Sequence, residues 1–125
     1  MQLHLERPDY EYFLRGADGR HALVNDRRLE GSFVIAPDAL IEGWPVHDVA
    51  TMSAADLEPL IALQPELVVL GSGGSQAFPP PEVMGACLSQ GIGLETMTNA
   101  AAARTFNVLA SEGRRVVAGF VIASL

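Results

Sequence analysis

Leu67-Val68-Val69-Leu70-Gly71-Ser72-Gly73-Gly74-Ser75 is the stretch on which the fold turns. Four consecutive apolar residues, two of them β-branched, describe a strand buried on both faces, because a strand wetted on one side would alternate apolar and polar residues. The run stops in glycines and serines, and Phe78 and the prolines Pro79, Pro80 and Pro81 follow. Glu82 to Leu88 then carries Val83, Met84, Cys87 and Leu88 on one helical face, with Gly91 as the stop. Gly93-Leu94-Glu95-Thr96-Met97 reads as a second short strand. Thr98 or Asn99 caps a helix whose buried side holds Ala102, Ala103, Phe106, Leu109 and Ala110. Arg115 to Ala123 closes the chain as a long apolar strand broken only by Gly119. Strand, helix, strand, helix, strand in that order predicts a β-α-β-α-β unit with parallel strands and covering helices.

Upstream the pattern changes. Tyr10 to Leu14, the turn residues Gly16 to Gly19 and then His21 to Val24 predict a hairpin. Ser32 to Ala36 stops at Pro37-Asp38, and Ala39 to Trp44 follows as a second antiparallel partner, so the first third reads as a β meander. Ser53 with Asp56 three residues on resembles a capping box. Pro59 either kinks a helix running from Ser53 or falls in the first turn of one capped by Asp56, and a short helix starting near Asp56 is expected. The expectation is one three-layer α/β domain over residues 1–125 with a mixed central sheet, β-rich over 1–50 and α/β over 51–125.

Composition narrows the function. The chain of 125 residues is 49% apolar and 18% charged, which suits a packed core. Its formal charge of −7 sets it against phosphate backbones, so nucleic acid is not an expected partner. All eight basic residues are arginines, and without lysine there is no Schiff-base chemistry and no Walker-type phosphate lysine. Cys87 is the one cysteine, which excludes an intrachain disulfide and any multi-cysteine metal site within a single chain. Met1 to Pro8 carries His4, Glu6 and Arg7 instead of a continuous apolar stretch. No run elsewhere reaches the roughly 18 apolar residues of a spanning helix, so a cytoplasmic protein with no transmembrane segment is expected.

Catalytic patterns are poor. His4, His21 and His47 are scattered, and no His-Glu-x-x-His spacing occurs. Ala77 breaks the Gly-x-Ser-x-Gly frame around Ser75, and Cys87 falls mid-helix on an apolar face as a buried, inert thiol. No catalytic residue, metal site or cofactor is expected.

Ligands of open α/β sheets favour the crevice beyond the carboxyl ends of the strands. Gly71, Ser72, Gly73 and Gly74 could present backbone N–H groups there to an anion, although Gln76 stands where a dinucleotide fingerprint needs glycine and a proline run separates the loop from its helix. A tight loop clearing the sheet edge is the structural alternative. Arg104 and Asn107, three residues apart on one helix, could hold a carboxylate or phosphate; equally, Arg104 could bond a neighbour such as Glu95 and Asn107 a nearby loop. Phe78 is expected to pack in the core, with an exposed interaction edge as the other reading.

Pro65 to Gly73, Phe78-Pro79-Pro80, Gly91 to Met97, Ala101 to Leu109 and Glu112 to Val116, with Ser32 to Pro37 and Trp44, resemble in order and spacing the domain-of-unknown-function family numbered 498/598. The resemblance covers nearly the whole chain. It implies a three-layer α/β fold with a mixed sheet and a family that includes a mitochondrial complex I assembly factor, with no enzymatic activity established. Ala103 stands where the family commonly has a cysteine, and Thr98-Asn99 where it commonly has an aspartate-threonine pair, so a role for that thiol does not carry over. What carries over is the Gly71 to Gly73 loop with Arg104, Thr105 and Asn107.

Two functions follow as expectations. One is a non-enzymatic, assembly-factor-like protein that engages a protein partner, such as a membrane-complex subunit, through the surface around the Gly71 loop and Arg104. The other is a small-molecule or anion-binding domain at the carboxyl edge of the parallel strands, with weak enzymatic activity. Weak homo-oligomerisation through exposed apolar strands is a third expectation.

Overall fold

The computed structural model describes residues 10–123. Two sheets form. Strands β1 (Leu14–Ala17), β2 (Ala22–Val24) and β3 (Arg27–Leu29) make a small antiparallel sheet in the order β1-β2-β3. Strands β4 (Phe33–Ala36), β5 (Ala39–Glu42), β6 (Leu67–Gly71), β7 (Gly93–Met97) and β8 (Val116–Phe120) make the central sheet in the order β5-β4-β8-β6-β7. Strand β6 is parallel to both β7 and β8, while β4 is antiparallel to β5 and β8, so the sheet is mixed as expected. The N-terminal meander is thereby divided: its second hairpin joins the central sheet.

Alternation along the strands assigns the layers. Phe33, Ile35, Val69, Val116, Ala118 and Phe120 face a core shared with Ala102, Ala103 and Phe106 of helix α3 (Asn99–Ser111) and with Leu14, Ala22, Val24 and Leu29 of the small sheet. Val34, Ala36, Val68, Leu70 and Val117 face the other way. They meet Leu57, Leu60 of α1 (Glu58–Ile61), Val83 and Cys87 of α2 (Pro81–Leu88), and Trp44. The central sheet is therefore covered on both sides, which explains why its middle strands are apolar at every position. Phe33 and Phe120, cross-strand partners, stack with centroids 4.9 Å apart.

The capping box is present in part: Ser53 N–H donates to Asp56 Oδ2 at 2.9 Å, opening a 3-10 turn over Ala54–Leu57, and Pro59 lies in the first turn of α1. Gly91 has φ +73, as a helix stop requires.

Several local expectations are corrected. Strand β1 starts at Leu14 and includes Gly16 and Ala17; the turn comes later because Asp18 Oδ1 accepts the N–H groups of Arg20 and His21 at 2.8 and 2.9 Å. Glu11 and Tyr12 are drawn instead to Pro37, whose carbonyl accepts both of their N–H groups. The closing strand ends at Phe120, not Ala123, because its neighbours end there; Ile122 N–H bonds the Ser32 hydroxyl at 2.8 Å instead of a strand. Leu88 is 63% exposed, since β7 is an edge strand and α2 has sheet only beneath Val83 and Cys87. Phe78 is 64% exposed and not in the core, because Pro79 takes the buried position in that loop and turns its neighbour outward.

Candidate functional site

The carboxyl ends of β6 and β8 and the start of α3 meet at one residue that sequence reading considered only as a cap. Thr98 is the cap, accepting the Ala101 N–H at 3.3 Å, which places Asn99 one residue inside the helix and pointing into the crevice. Asn99 is completely buried. Its Oδ1 accepts the Gly73 N–H at 3.0 Å, and its Nδ2 donates to the carbonyls of Asp18 at 2.9 Å and Val121 at 3.0 Å. Its own N–H donates to the Gly73 carbonyl at 2.9 Å. One side chain thus ties the β6 loop, the exit of β8 and the β1–β2 turn together. The glycines around it follow from crowding. A β-carbon on Gly71 would collide with Asn99 Oδ1, one on Gly19 would stand 2.9 Å from Gly74 N, and Gly73 has φ +104.

The N–H groups of the glycine loop are largely committed. Ser72 N–H bonds the Met97 carbonyl at 2.8 Å, Gly73 N–H bonds Asn99, and Ala77 N–H bonds Ser72 Oγ at 3.1 Å. Ser72 Oγ in turn lies 2.8 Å from the Ser75 carbonyl. Gly74 is exposed beside Gly19.

Arg104 lies on a different face of α3 and is exposed, with no ion pair to Glu95 or to any other carboxylate among the described residues. It stands between two hollows. Toward β1, a groove of about 380 Å³ is lined by Leu14, Arg15, Gly16, Ala17, Ala100, Ala103, Arg104 and Asn107. On its other side a shallower hollow of about 220 Å³ is made by Arg104, Thr105, Val108 and Leu109, and Val108 is 55% exposed. Thr105 lies over the sheet edge, with Oγ1 3.3 Å from Met97 Sδ.

Asn107 is half-buried and works as a surrogate strand: Leu14 N–H donates to Asn107 Oδ1 at 2.9 Å, and Asn107 Nδ2 donates to the Leu14 carbonyl at 2.6 Å. The expected constellation is therefore divided. Gly71, Ser72, Gly73 and Gly74 gather around Asn99; Arg104, Thr105 and Asn107 spread along α3, and neither hollow beside Arg104 includes the glycine loop. The cue to Asn99 was a polar residue inside the first turn of a helix facing a glycine loop.

Other titratable groups are set by their surroundings. Burial pushes the Cys87 thiol and the Tyr10 hydroxyl above their usual pKa. The N–H groups of Arg20 and His21 hold Asp18 below the usual carboxylate value. His21 Nδ1 is 3.4 Å from Asp18 Oδ1, His47 is exposed, and His4 lies outside the described residues. No three His, Cys, Asp or Glu side chains come together as metal ligands among the described residues, and no helix there is long and apolar enough to cross a membrane.

A two-sided mixed sheet, a satellite three-stranded sheet and a single buried asparagine locking the carboxyl edge define a three-layer α/β domain. The chain belongs to the family described as "Protein of unknown function (DUF498/DUF598)", whose model matches residues 14–121. It is similar to a Xanthomonas campestris protein solved by NMR, at 53% identity and TM-score 0.84, covering 100% of this chain and 95% of that one. A crystal structure from Bordetella parapertussis matches at 33% identity and TM-score 0.82, covering 89% of this chain and 95% of that one. Among curated proteins, the "NADH dehydrogenase [ubiquinone] 1 alpha subcomplex assembly factor 3" of Xenopus tropicalis is 27% identical over 121 residues, covering 94% of this chain and 65% of its own length. The chain spans less than two thirds of the first curated relatives it matches: 58% of a "13 kDa major membrane protein" of Francisella tularensis, and 56% of the Bos taurus assembly factor.

Proposed function

We propose that this chain is a non-enzymatic, assembly-factor-like domain that docks a protein partner, a subunit of a membrane complex, through the outer face of α3 around Arg104, with the Gly71 loop at the head of that helix. The observation that carries the reading is the position of Arg104 on an exposed crest, flanked by the apolar hollow of Thr105, Val108 and Leu109. An arginine beside exposed aliphatic surface is a common anchor of protein interfaces, where its planar guanidinium can bond carbonyls and carboxylates while its stem packs. The relatives named as assembly factors support the same class. An anion pocket at the carboxyl edge has less support, because the amides of Ser72 and Gly73 already have partners within the chain.

The test is affinity capture from lysate of the cell that makes the protein, with quantitative comparison of wild type, Arg104→Ala and Val108→Glu. Recovery of a membrane-complex subunit by wild type, reduced in both variants, is expected. Equal recovery of every protein by all three would overturn the reading.

A further inference from the structure

The groove between β1 and α3 concentrates positive charge on an acidic chain. Two grooves beside α3 have a pair of arginines in their lining, and the difference between them is informative. In the one bounded by Tyr10, Pro37 and Gly113, both arginines are engaged: Arg115 Nη1 lies 2.8 Å from Asp38 Oδ1 and Arg114 Nε 3.5 Å from Glu66 Oε2. In the β1/α3 groove, the carboxylate nearest Arg15 among the described residues is Asp26 at 3.8 Å, and that carboxylate is fully exposed. Arg104 has no carboxylate partner among the described residues. An exposed pair at that separation is worth little in water, so both guanidiniums can turn to an incoming anion at small cost.

The walls suit a backbone. Gly16, Ala17, Ala100 and Ala103 are small, so another main chain can approach closely. Strand β1 is the edge of its sheet, and Asn107 already pairs the N–H and carbonyl of Leu14 as a neighbouring strand would. A visiting strand would continue that pairing beside Gly16 and Ala17. From Ala100 to Asn107 the helix rises about 10 Å, the span of about three extended residues.

We infer that this groove receives an extended acidic segment of the partner, its backbone along the β1 edge and its carboxylates on Arg15 and Arg104. This rests on the docking role proposed above and names the chemistry of what is docked. Bidentate arginine–carboxylate pairing supplies the recognition, and edge-strand addition the register.

Fluorescence anisotropy tests it with a fluorescein-labelled short peptide of alternating valine and glutamate, and the same peptide with lysine in place of glutamate. The glutamate peptide is expected to bind at low salt, to weaken as salt rises, and to lose about tenfold in affinity in Arg15→Gln and in Arg104→Gln, one charge-assisted pair each. Arg28→Gln, on a residue bonded to Glu30 outside the groove, leaves binding unchanged. All three arginines are exposed, and thermal melts confirm that the variants fold. Equal binding of the lysine peptide, insensitivity to both groove variants, or an equal loss in Arg28→Gln would overturn the inference. So would displacement by millimolar phosphate where chloride of equal ionic strength has no effect, since that marks a small-anion site. A silent peptide alongside Arg104-dependent capture of a complex subunit sinks this inference and leaves the docking role standing; a binding peptide without such capture supports the acidic-strand chemistry of the groove and overturns the membrane-complex subunit as its source.

Discussion

Replacing Asn99 by alanine removes the side chain that joins three segments, and its cost can be worked from the contacts. Three hydrogen bonds are lost, at 2.9 to 3.0 Å, from Gly73 N–H and to the carbonyls of Asp18 and Val121. A buried hydrogen bond contributes about 1 kcal/mol net, and more when the orphaned partner cannot reach water. Gly73 and Val121 lie inside the crevice, whereas Asp18 is on an exposed turn where water can substitute, so the sum is about 2–4 kcal/mol. For a domain of this length that lowers Tm by about 8–15 °C. The assay is urea unfolding followed by the fluorescence of Trp44, the chain's one tryptophan, which is 3% exposed. The midpoint falls while the slope m is unchanged, because the surface exposed on unfolding is the same. Asn107→Ala, which removes two bonds to Leu14 from a half-buried site, costs about 1–2 kcal/mol. An Asn99→Ala variant within about 0.5 kcal/mol of wild type, or one less destabilised than Asn107→Ala, would refute the reasoning. The isostere Asn99→Asp adds a check of sign. A carboxylate cannot donate to two carbonyls, so its folded pKa is raised. Its deficit against wild type is therefore smallest below about pH 3.9, the ordinary carboxyl value, where the protonated acid still donates once, grows as pH rises, and levels off above the folded pKa.

Three further outcomes are expected. Gly119→Ala places a β-carbon 2.6 Å from Trp44 Cη2, and the ring cannot yield because its Nε1–H is bonded to the Asp56 carbonyl at 3.0 Å. Destabilisation of about 1–3 kcal/mol with a shifted Trp44 emission is expected, and a silent variant would show that the ring has room to move. Cys87, buried and with a raised pKa, reacts with an aromatic disulfide reagent only as fast as the domain opens; denaturant below the unfolding midpoint should accelerate the reaction, and a fast native rate would contradict its placement. Asp18 has a lowered folded pKa, so its contribution is present above the usual carboxylate value and is lost as pH falls through the folded one. The acid limb of the stability curve should be shallower in Asp18→Asn, measured by urea midpoints across pH 3 to 6.

Much of the fold was legible because burial on two faces leaves a signature in composition. Leu67 to Leu70 could only be an inner strand, and Gly93 to Met97 and the helix after Thr98 were bounded by residues with one good local use each: glycine as a stop, threonine as a cap. The short N-terminal strands were less legible. The β1–β2 turn is decided by the Asp18 side chain, and β3 follows a tight turn in which Asn25 adopts φ 51, with no apolar run to announce it. Leu88 was misplaced because periodicity says which residues share a face, not whether another element covers it, and Phe78 because its neighbour Pro79 takes the buried position in the loop.

The sequence by itself determined the β-α-β-α-β unit, its helical cover and the exclusion of lysine chemistry and of an intrachain disulfide, since these depend on residue identity and near-neighbour spacing. Only the tertiary structure decided that neither hollow beside Arg104 includes the glycine loop. Asn99 and Asn107 look alike in the chain, eight residues apart on one helix, yet one is sealed among three segments and the other braces an edge strand. The bonds of Asn99 and Asn107 reach as far as 81 and 93 positions along the chain, and which carbonyl arrives opposite an amide is fixed by how the layers pack, a relation no local pattern of residues contains.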